Sequence, residues 1–528
     1  MGKFKLSSWL HPSSPTAAEA DQKKQNRRSF PGFSTSSAKM NGERLSSQAQ
    51  TETANGAPPA QSTSEMIALA QKITRETEKL QAYMTENNLP MPSFEVDAAN
   101  DFPKLPSDIH RSRQEIIFAT KQLRDLAIGP RESIRWGVWD FLDVLALQII
   151  NKYGIAKLVP IEGTITLTEL QSKTPLDPVN LARVIRMATA NHIFAEPSPG
   201  VIAHTASSRL LAEDDDLRAW VGFNAEDIFP ASAHVLQALQ SDPAATSLVR
   251  AGFQFAFGTA DQEPMFVTFG RDPERARRMG RAMASLTGGE GYEVRYLVDG
   301  YDFSDVDAAG GTLVDVGGSH GFVCVDLARK YRRMRFVVQD LQKTVDSAPR
   351  PVCEDAQVAE RISFQAYDFF TPQVVEGADV YFFRWIMHNY STPYAVKILK
   401  NLVPALKPGA RVVINDHCLR EPGLENPWDE RIMRRMDMVM LALLNAQERT
   451  EDEFRELFRA ADEGFVFKGV TRPEGCRMSI VEAVWKPDEV QKEASPAAVE
   501  EGSTANTPAA AGGDGPAQEV KSAEKTAA

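Results

Sequence analysis

Large apolar residues are spread unevenly along the chain. Residues 1–61 and 488–528 hold few of them among Ser, Ala, Gln, Pro, Glu and Lys. Such segments bury too little surface to offset the entropy lost on ordering, so both tails are expected to be disordered. From residue 62 the pattern turns helical. Met66, Leu69, Ile73, Leu80 and Met84 follow a Ser62-x-x-Glu65 capping box and stop before Pro90 and Pro92. Ile109, Ile116, Leu123 and Leu126 predict a second helix from Ser107 to Gly129-Pro130. Trp136 to Ile150 is apolar nearly all round, which predicts a buried helix. Short helices are expected at Thr168–Ser172 and, behind Asp177-Pro178, at Leu181–Ala190. Two short runs flanking Glu196-Pro-Ser-Pro-Gly200 then predict a hairpin. Three helices and a hairpin make a winged helix.

From about residue 301 short β-rich runs alternate with helical stretches. Thr312–Val316, Phe336–Val338, Ile362–Ala366, Asp379–Arg384 and Arg411–Asp416 read as strands. Phe465–Phe467 and Ser479–Val484 read as an antiparallel closing hairpin. This alternation predicts an α/β fold, a Rossmann-like doubly wound sheet over 301–487. Residues 62–300 are expected to form a mainly helical, winged-helix domain.

Composition narrows the function. With 528 residues the chain is long enough for two or three domains. Its formal net charge of −12 disfavours a nucleic-acid partner. The third helix of the winged-helix pattern offers only Arg183 and Arg186, so dimerisation or substrate covering is the better reading than DNA binding. The 4 cysteines form no C-x-x-C pair, so neither a metal site nor a disulfide framework is expected, and a cytoplasmic setting fits. No apolar run approaches transmembrane length. The start, Met1-Gly2, carries Leu6 where a myristoylation signal has Ser or Thr.

The chemistry begins at the turn after the first predicted strand, Gly317-Gly-Ser-His-Gly321. A dinucleotide fingerprint requires a second glycine where Ser319 stands, so an NAD enzyme is disfavoured. Two residues earlier Asp315 places a carboxylate that suits a cationic ligand better than a pyrophosphate. Asp340, at the end of the next strand, is placed to hold a ribose diol.

Asp315-x-Gly317-Gly318 resembles the first motif of S-adenosylmethionine methyltransferases. Together with Phe383-Arg-Trp-Ile-Met-His388-Asn-Tyr, Ile414-Asn-Asp416-His and Asn445-Ala-Gln-Glu448-Arg-Thr, it makes residues 130–485 similar to the cation-independent O-methyltransferases of the caffeic-acid type, in particular their fungal secondary-metabolite branch. The resemblance implies a homodimer built on the helical half and S-adenosylmethionine as cofactor. It implies His388 as general base, with Asp416 and Glu448 orienting the imidazole. It further implies Gly317, Asp340, Asp368, Phe369 and Arg384 at the cofactor, with Met283, Met438, Leu441 and Asn445 as weaker substrate contacts. The sequence departs from the family in four places. The glycine turn carries Ser319-His320, Asn389-Tyr390 replaces Asp-Trp, Asp416 replaces Glu, and Arg384 stands where Lys is common.

The expected reaction is methyl transfer to a phenolic hydroxyl of a polyketide-like small molecule. A neutral imidazole, with an ordinary pKa of about 6.5, takes the proton. The leaving thioether is neutral, so no metal is called for. Two other classes compete: a catalytically silent cofactor-binding subunit, and a winged-helix regulator. The joint presence of His388, Asp416 and Glu448 argues against the first, and the acidic charge argues against the second.

Overall fold

The structure is a computed structural model and describes residues 64–487. The tails expected to be disordered, and Ser62, lie outside the described residues. The first helix, Glu65–Glu86, is capped by Ser64, whose hydroxyl accepts from the Ile67 amide. It packs on the helix Ser107–Ile128 through Leu80, Met84 and Ile109.

The stretch Trp136–Ile150 departs from expectation. It is not one buried helix but the end of Pro130–Gly137 and most of Phe141–Lys152. Gly137 ends the first piece, as its low helix propensity favours. Only Ala146 and Ile150 are buried in the second, whereas Trp136, Val138, Trp139 and Phe141 are 51, 62, 57 and 48% exposed. The run is apolar all round, yet one chain covers only its inner side.

Strands β1 (Ile165–Thr166), β2 (Phe194–Ser198) and β3 (Val201–His204) form an antiparallel sheet in the order β1-β3-β2. With the helices Leu167–Ser172 and Pro178–Ala190 they enclose a core of Leu170, Leu181, Ile185, Phe194 and Ile202. The short helices and the hairpin expected here are present.

The second sheet comprises β4 (Thr312–Val316), β5 (Arg335–Asp340), β6 (Ile362–Ala366), β7 (Val380–Arg384) and β8 (Arg411–Asp416). Two further pieces, β9 (Cys418–Leu419) and β10 (Arg449–Thr450), pair parallel beside it. The chain ends the sheet with β11 (Phe465–Thr471) and β12 (Ser479–Trp485). The order is β11-β12-β8-β7-β4-β5-β6, parallel from β6 to β8 and antiparallel at β12 and β11. On β7, Tyr381 and Phe383 enter one core while Val380 and Phe382 enter the other. Residues alternate across a strand, so a centre strand covered on both faces must be apolar throughout.

Candidate active site

The chain leaves β4 to build β5 and β6 on one side, then returns to build β7 and β8 on the other. That reversal makes the carboxyl ends of β4 and β7 a switch point, and ligands of such sheets bind in the crevice found there. Gly317 follows β4 and Trp385 follows β7. Gly317 has φ +78°, and a Cβ there would stand 2.6 Å from Ile386 Cδ1 and 3.8 Å from Phe369. The glycine turn is thus packed against the segment that carries His388.

On the β4–β5 side the carboxylates are arranged by backbone amides. Asp340 accepts from Ser319 N at 3.0 Å and from Leu341 N at 2.8 Å. Asp368 is exposed and accepts from Phe370 N; it lies just beyond β6, which ends at Ala366 rather than at this acid. Phe369 is half-buried and meets Tyr390 edge-on, with centroids 5.6 Å apart. Asp315 is buried, with the Cys324 thiol at 3.3 Å. Burial and the neighbouring Asp340 push its carboxyl up to about 7. Arg384 is buried too. Its guanidinium donates to the Asn415 side chain and to the Tyr292 carbonyl, and burial lowers it to about 10. It braces β7 against β8 and the Tyr292 loop.

On the β7–β8 side the chain makes a sharp entry. Trp385 has φ +57°, a left-handed conformation that is costly for a tryptophan and that concentrates at functional sites. It turns the backbone into the short 3₁₀ turn Met387–Asn389, which presents His388. Arg449, 1% exposed, clamps that turn by donating to the carbonyls of Met387 and Tyr390, each at 2.7 Å. The His388 Nδ1 meets Glu448 Oε1 at 2.9 Å. A carboxylate only accepts, so Nδ1 carries the hydrogen and Nε2 keeps a lone pair. Among the described residues Nε2 has no hydrogen-bond partner.

The two expected orienting carboxylates divide the work. Glu448 reaches the ring. Asp416 does not, because Glu448 already fills Nδ1; its Oδ2 accepts from the backbone amide of His388 at 3.1 Å. Asp416 therefore holds the position of the turn rather than the tautomer. Burial raises Asp416, against the opposing charge of His388. Burial would also raise Glu448, but the charges and hydrogen bonds of His388 and His417 outweigh it and hold the carboxyl at about 2. His388 is raised, its burial overcome by Glu448.

Sequence reasoning missed three participants. His417 Nδ1 lies 3.3 Å from the same Oε1 of Glu448. Trp385 stands beside both imidazoles, its ring centroid 4.9 Å from His388 and 5.1 Å from His417. Arg449 is the third. The β9–β10 pairing, Cys418 opposite Arg449, is what brings residues 417 and 448 together. The adjacency of His417 to Asp416, and of Arg449 to Glu448, was the available signal. Of the weaker substrate candidates, Met438, Leu441 and Asn445 line one cleft of ≈ 330 Å³ with Ser391 and Asp437. Met283 does not line that cleft and packs on the Phe253–Phe269–Met440 cluster.

The crevice fits S-adenosylmethionine. Gly317 gives a cradle where a Cβ would crowd Ile386, Asp340 offers a carboxylate at the end of β5, and Asp315 supplies a buried carboxyl with no cationic side chain bonded to it among the described residues. Residues 239–466 match the family model for the O-methyltransferase domain. The chain is 61% identical over 422 residues to a chlorophenol O-methyltransferase of Trichoderma longibrachiatum, covering 80% of this chain and 90% of that one. It is 35% identical to O-methyltransferase gsfB of Penicillium aethiopicum, over 81% of this chain and all of the other. The crystal structure of OxaC in complex with SAH and oxaline shares the fold, with a TM-score of 0.64 and 24% identity, over 80% of this chain and 100% of that one. A chain that matches such enzymes over four-fifths of its length, and folds as they do around a crevice suited to their methyl donor, belongs to the S-adenosylmethionine-dependent O-methyltransferases.

Proposed function

We propose that this enzyme methylates a phenolic hydroxyl of an aromatic secondary metabolite, with His388 as the general base. The observation that carries the reading is the Glu448–His388 pair. Its 2.9 Å contact fixes the Nδ1–H tautomer and leaves Nε2 free to take a proton. S-adenosylmethionine, when bound, supplies a methyl group on a positively charged sulfur, an electrophile for an oxygen anion. His388 removes the phenol proton, and Glu448 stabilises the imidazolium that results. Asp416 and Arg449 hold the 3₁₀ turn so that the imidazole stays where it is needed. Gly317, Asp340, Asp315, Asp368 and Phe369 hold the cofactor in this reading, and Arg384 braces the wall between the two halves. The name of the 61%-identical relative supports a phenol as acceptor, and the four free thiols suit the cytoplasm.

The same reading makes the enzyme a homodimer. Trp136, Val138, Trp139 and Phe141 put four large apolar side chains, each about half exposed, within six residues, and clustered apolar surface of this kind marks interaction sites. Sedimentation of the full chain should give two copies per particle; a monomer would remove this part of the proposal.

The test of the base is His388→Ala, assayed by mass with labelled methyl donor and a panel of phenols. Turnover should fall by about 10²- to 10⁴-fold with cofactor affinity intact. Near-normal turnover would overturn the assignment.

A further inference from the structure

His417 has no part in the proton transfer described above, yet its surroundings are unusual. It is completely buried, and its Nδ1 points at the Glu448 oxygen that already serves His388, at 3.3 Å against 2.9 Å. Its Nε2 is buried without a partner among the described residues, as are the Tyr292 hydroxyl and Trp385 Nε1 beside it. The Tyr292 and Trp385 rings stand 5.7 and 5.1 Å from the His417 ring. Oxygen Oε2 of Glu448 is also buried and unpartnered, so the carboxylate does not meet each imidazole through a separate oxygen. Both rings compete for Oε1.

We propose that His417 is a positioning residue that shares Glu448 with His388 and limits how firmly His388 holds a proton. This rests on His388 being the base. An imidazole donating Nδ1–H to Oε1 draws off part of the charge that would otherwise stabilise the His388 imidazolium. If His417 is protonated, it also repels that imidazolium directly. Both forms act in the same direction, so the sign does not depend on which one is present.

The other charged groups facing this pair leave the sign intact. Asp416, bonded to the His388 amide, favours a protonated His388, and Arg449 disfavours it. Asp437 accepts from the Glu448 amide, and Arg384 acts on Asp416 from the β7 side. Each of these remains when only His417 is changed. The competition serves turnover. A base held too strongly as imidazolium is unavailable near neutral pH, and one with no carboxylate is too weak.

The experiment compares His417→Phe, which keeps a ring and removes the donor, with His417→Asn, whose amide N–H replaces Nδ1–H. The readout is the pH profile of kcat/KM for one accepted phenol, measured on the full-length enzyme. Losing the competitor strengthens His388 as a proton acceptor. The acid limb of the His417→Phe variant should therefore move to higher pH, by about half a unit or more. His417→Asn should restore it towards the parent. An unmoved acid limb in an active His417→Phe enzyme would overturn the proposal, and so would equal shifts in both variants. Should the Phe variant not fold, His417→Leu carries the same prediction. The ¹⁵N-histidine titration of His388 in the Asn variant against the parent then tests it further, with His388 expected to titrate unchanged. Failure here is separable from failure of the base reading. If His388→Ala stays active, the base is wrong; if it is dead and the His417 limb is fixed, only the sharing is wrong.

Discussion

Asp315 and Glu448 are both buried carboxyls, 2 and 3% exposed, yet they behave as opposites. Burial lifts Asp315 to about 7, whereas Glu448 is held at about 2. The difference lies in their partners. Asp315 has a thiol at 3.3 Å, an acidic neighbour and the charge of Arg384, which is not bonded to it, while Glu448 has two imidazoles within hydrogen-bond distance. A buried carboxylate needs partners that favour its charged form, and Glu448 has two imidazole rings at hydrogen-bond distance to do so. In the proposed reading, the cofactor's positive charge takes that place beside Asp315. In that reading the crevice has one half completed by the cofactor and one half whose partners the chain itself supplies.

The largest effect that division predicts is at Glu448. Glu448→Gln removes the charge and keeps the shape. Turnover should fall by about 10²-fold or more, because the imidazolium loses its stabiliser and the tautomer its lock. Without the carboxylate the free enzyme's His388 binds its proton less firmly, so the acid limb of kcat/KM should move to lower pH, opposite to the shift for His417→Phe. Cofactor affinity, read by calorimetry, should be unchanged. A parallel loss of cofactor binding would mean the two halves are not separate.

Asp315→Asn should do the reverse. Its carboxyl must be charged to meet a sulfonium or ammonium, so the parent's cofactor affinity should rise with pH until about 7 is passed. Binding below that should release a proton, visible as a dependence of the calorimetric heat on buffer ionisation. The Asn variant should bind about tenfold more weakly at pH 8, without that dependence, and keep its turnover at saturating cofactor. A buffer-independent heat for the parent would show that Asp315 is not the cation's counterion.

How much of this was legible in the sequence follows the range of each interaction. The β4–turn–helix–β5 unit was plain, because Gly317 and the valine-rich runs are local signals about local geometry. His388, Glu448 and Asp416 were placed by motif, but their division of labour was not. It depends on which oxygen meets which nitrogen across separations of 28 and 60 residues. His417 was invisible for the same reason, since its contact with Glu448 spans 31 residues and is set by two-residue strands too short to read. The Trp136–Ile150 run failed differently. Its apolar character was real, but hydrophobicity states that a surface needs covering and not whether the same chain covers it.

The smallest effect separates the two carboxyls through stability in the absence of cofactor. Asp315 is raised above its ordinary 3.8, so its contribution is fully present below that value and is lost as pH climbs through about 7. Glu448 is depressed from its ordinary 4.5, so its contribution is present above that value and is lost as pH falls towards about 2. Asp315→Asn should therefore raise the melting temperature of the free protein at pH 8 by about 2 °C or more, with little change at pH 4. Glu448→Gln should lower it at pH 8, and by less as acid is approached. Saturating cofactor should erase the advantage of Asp315→Asn, because the ligand's positive charge removes the cost that the substitution relieves. If the advantage persisted with cofactor bound, the buried charge of Asp315 would be facing something other than the methyl donor.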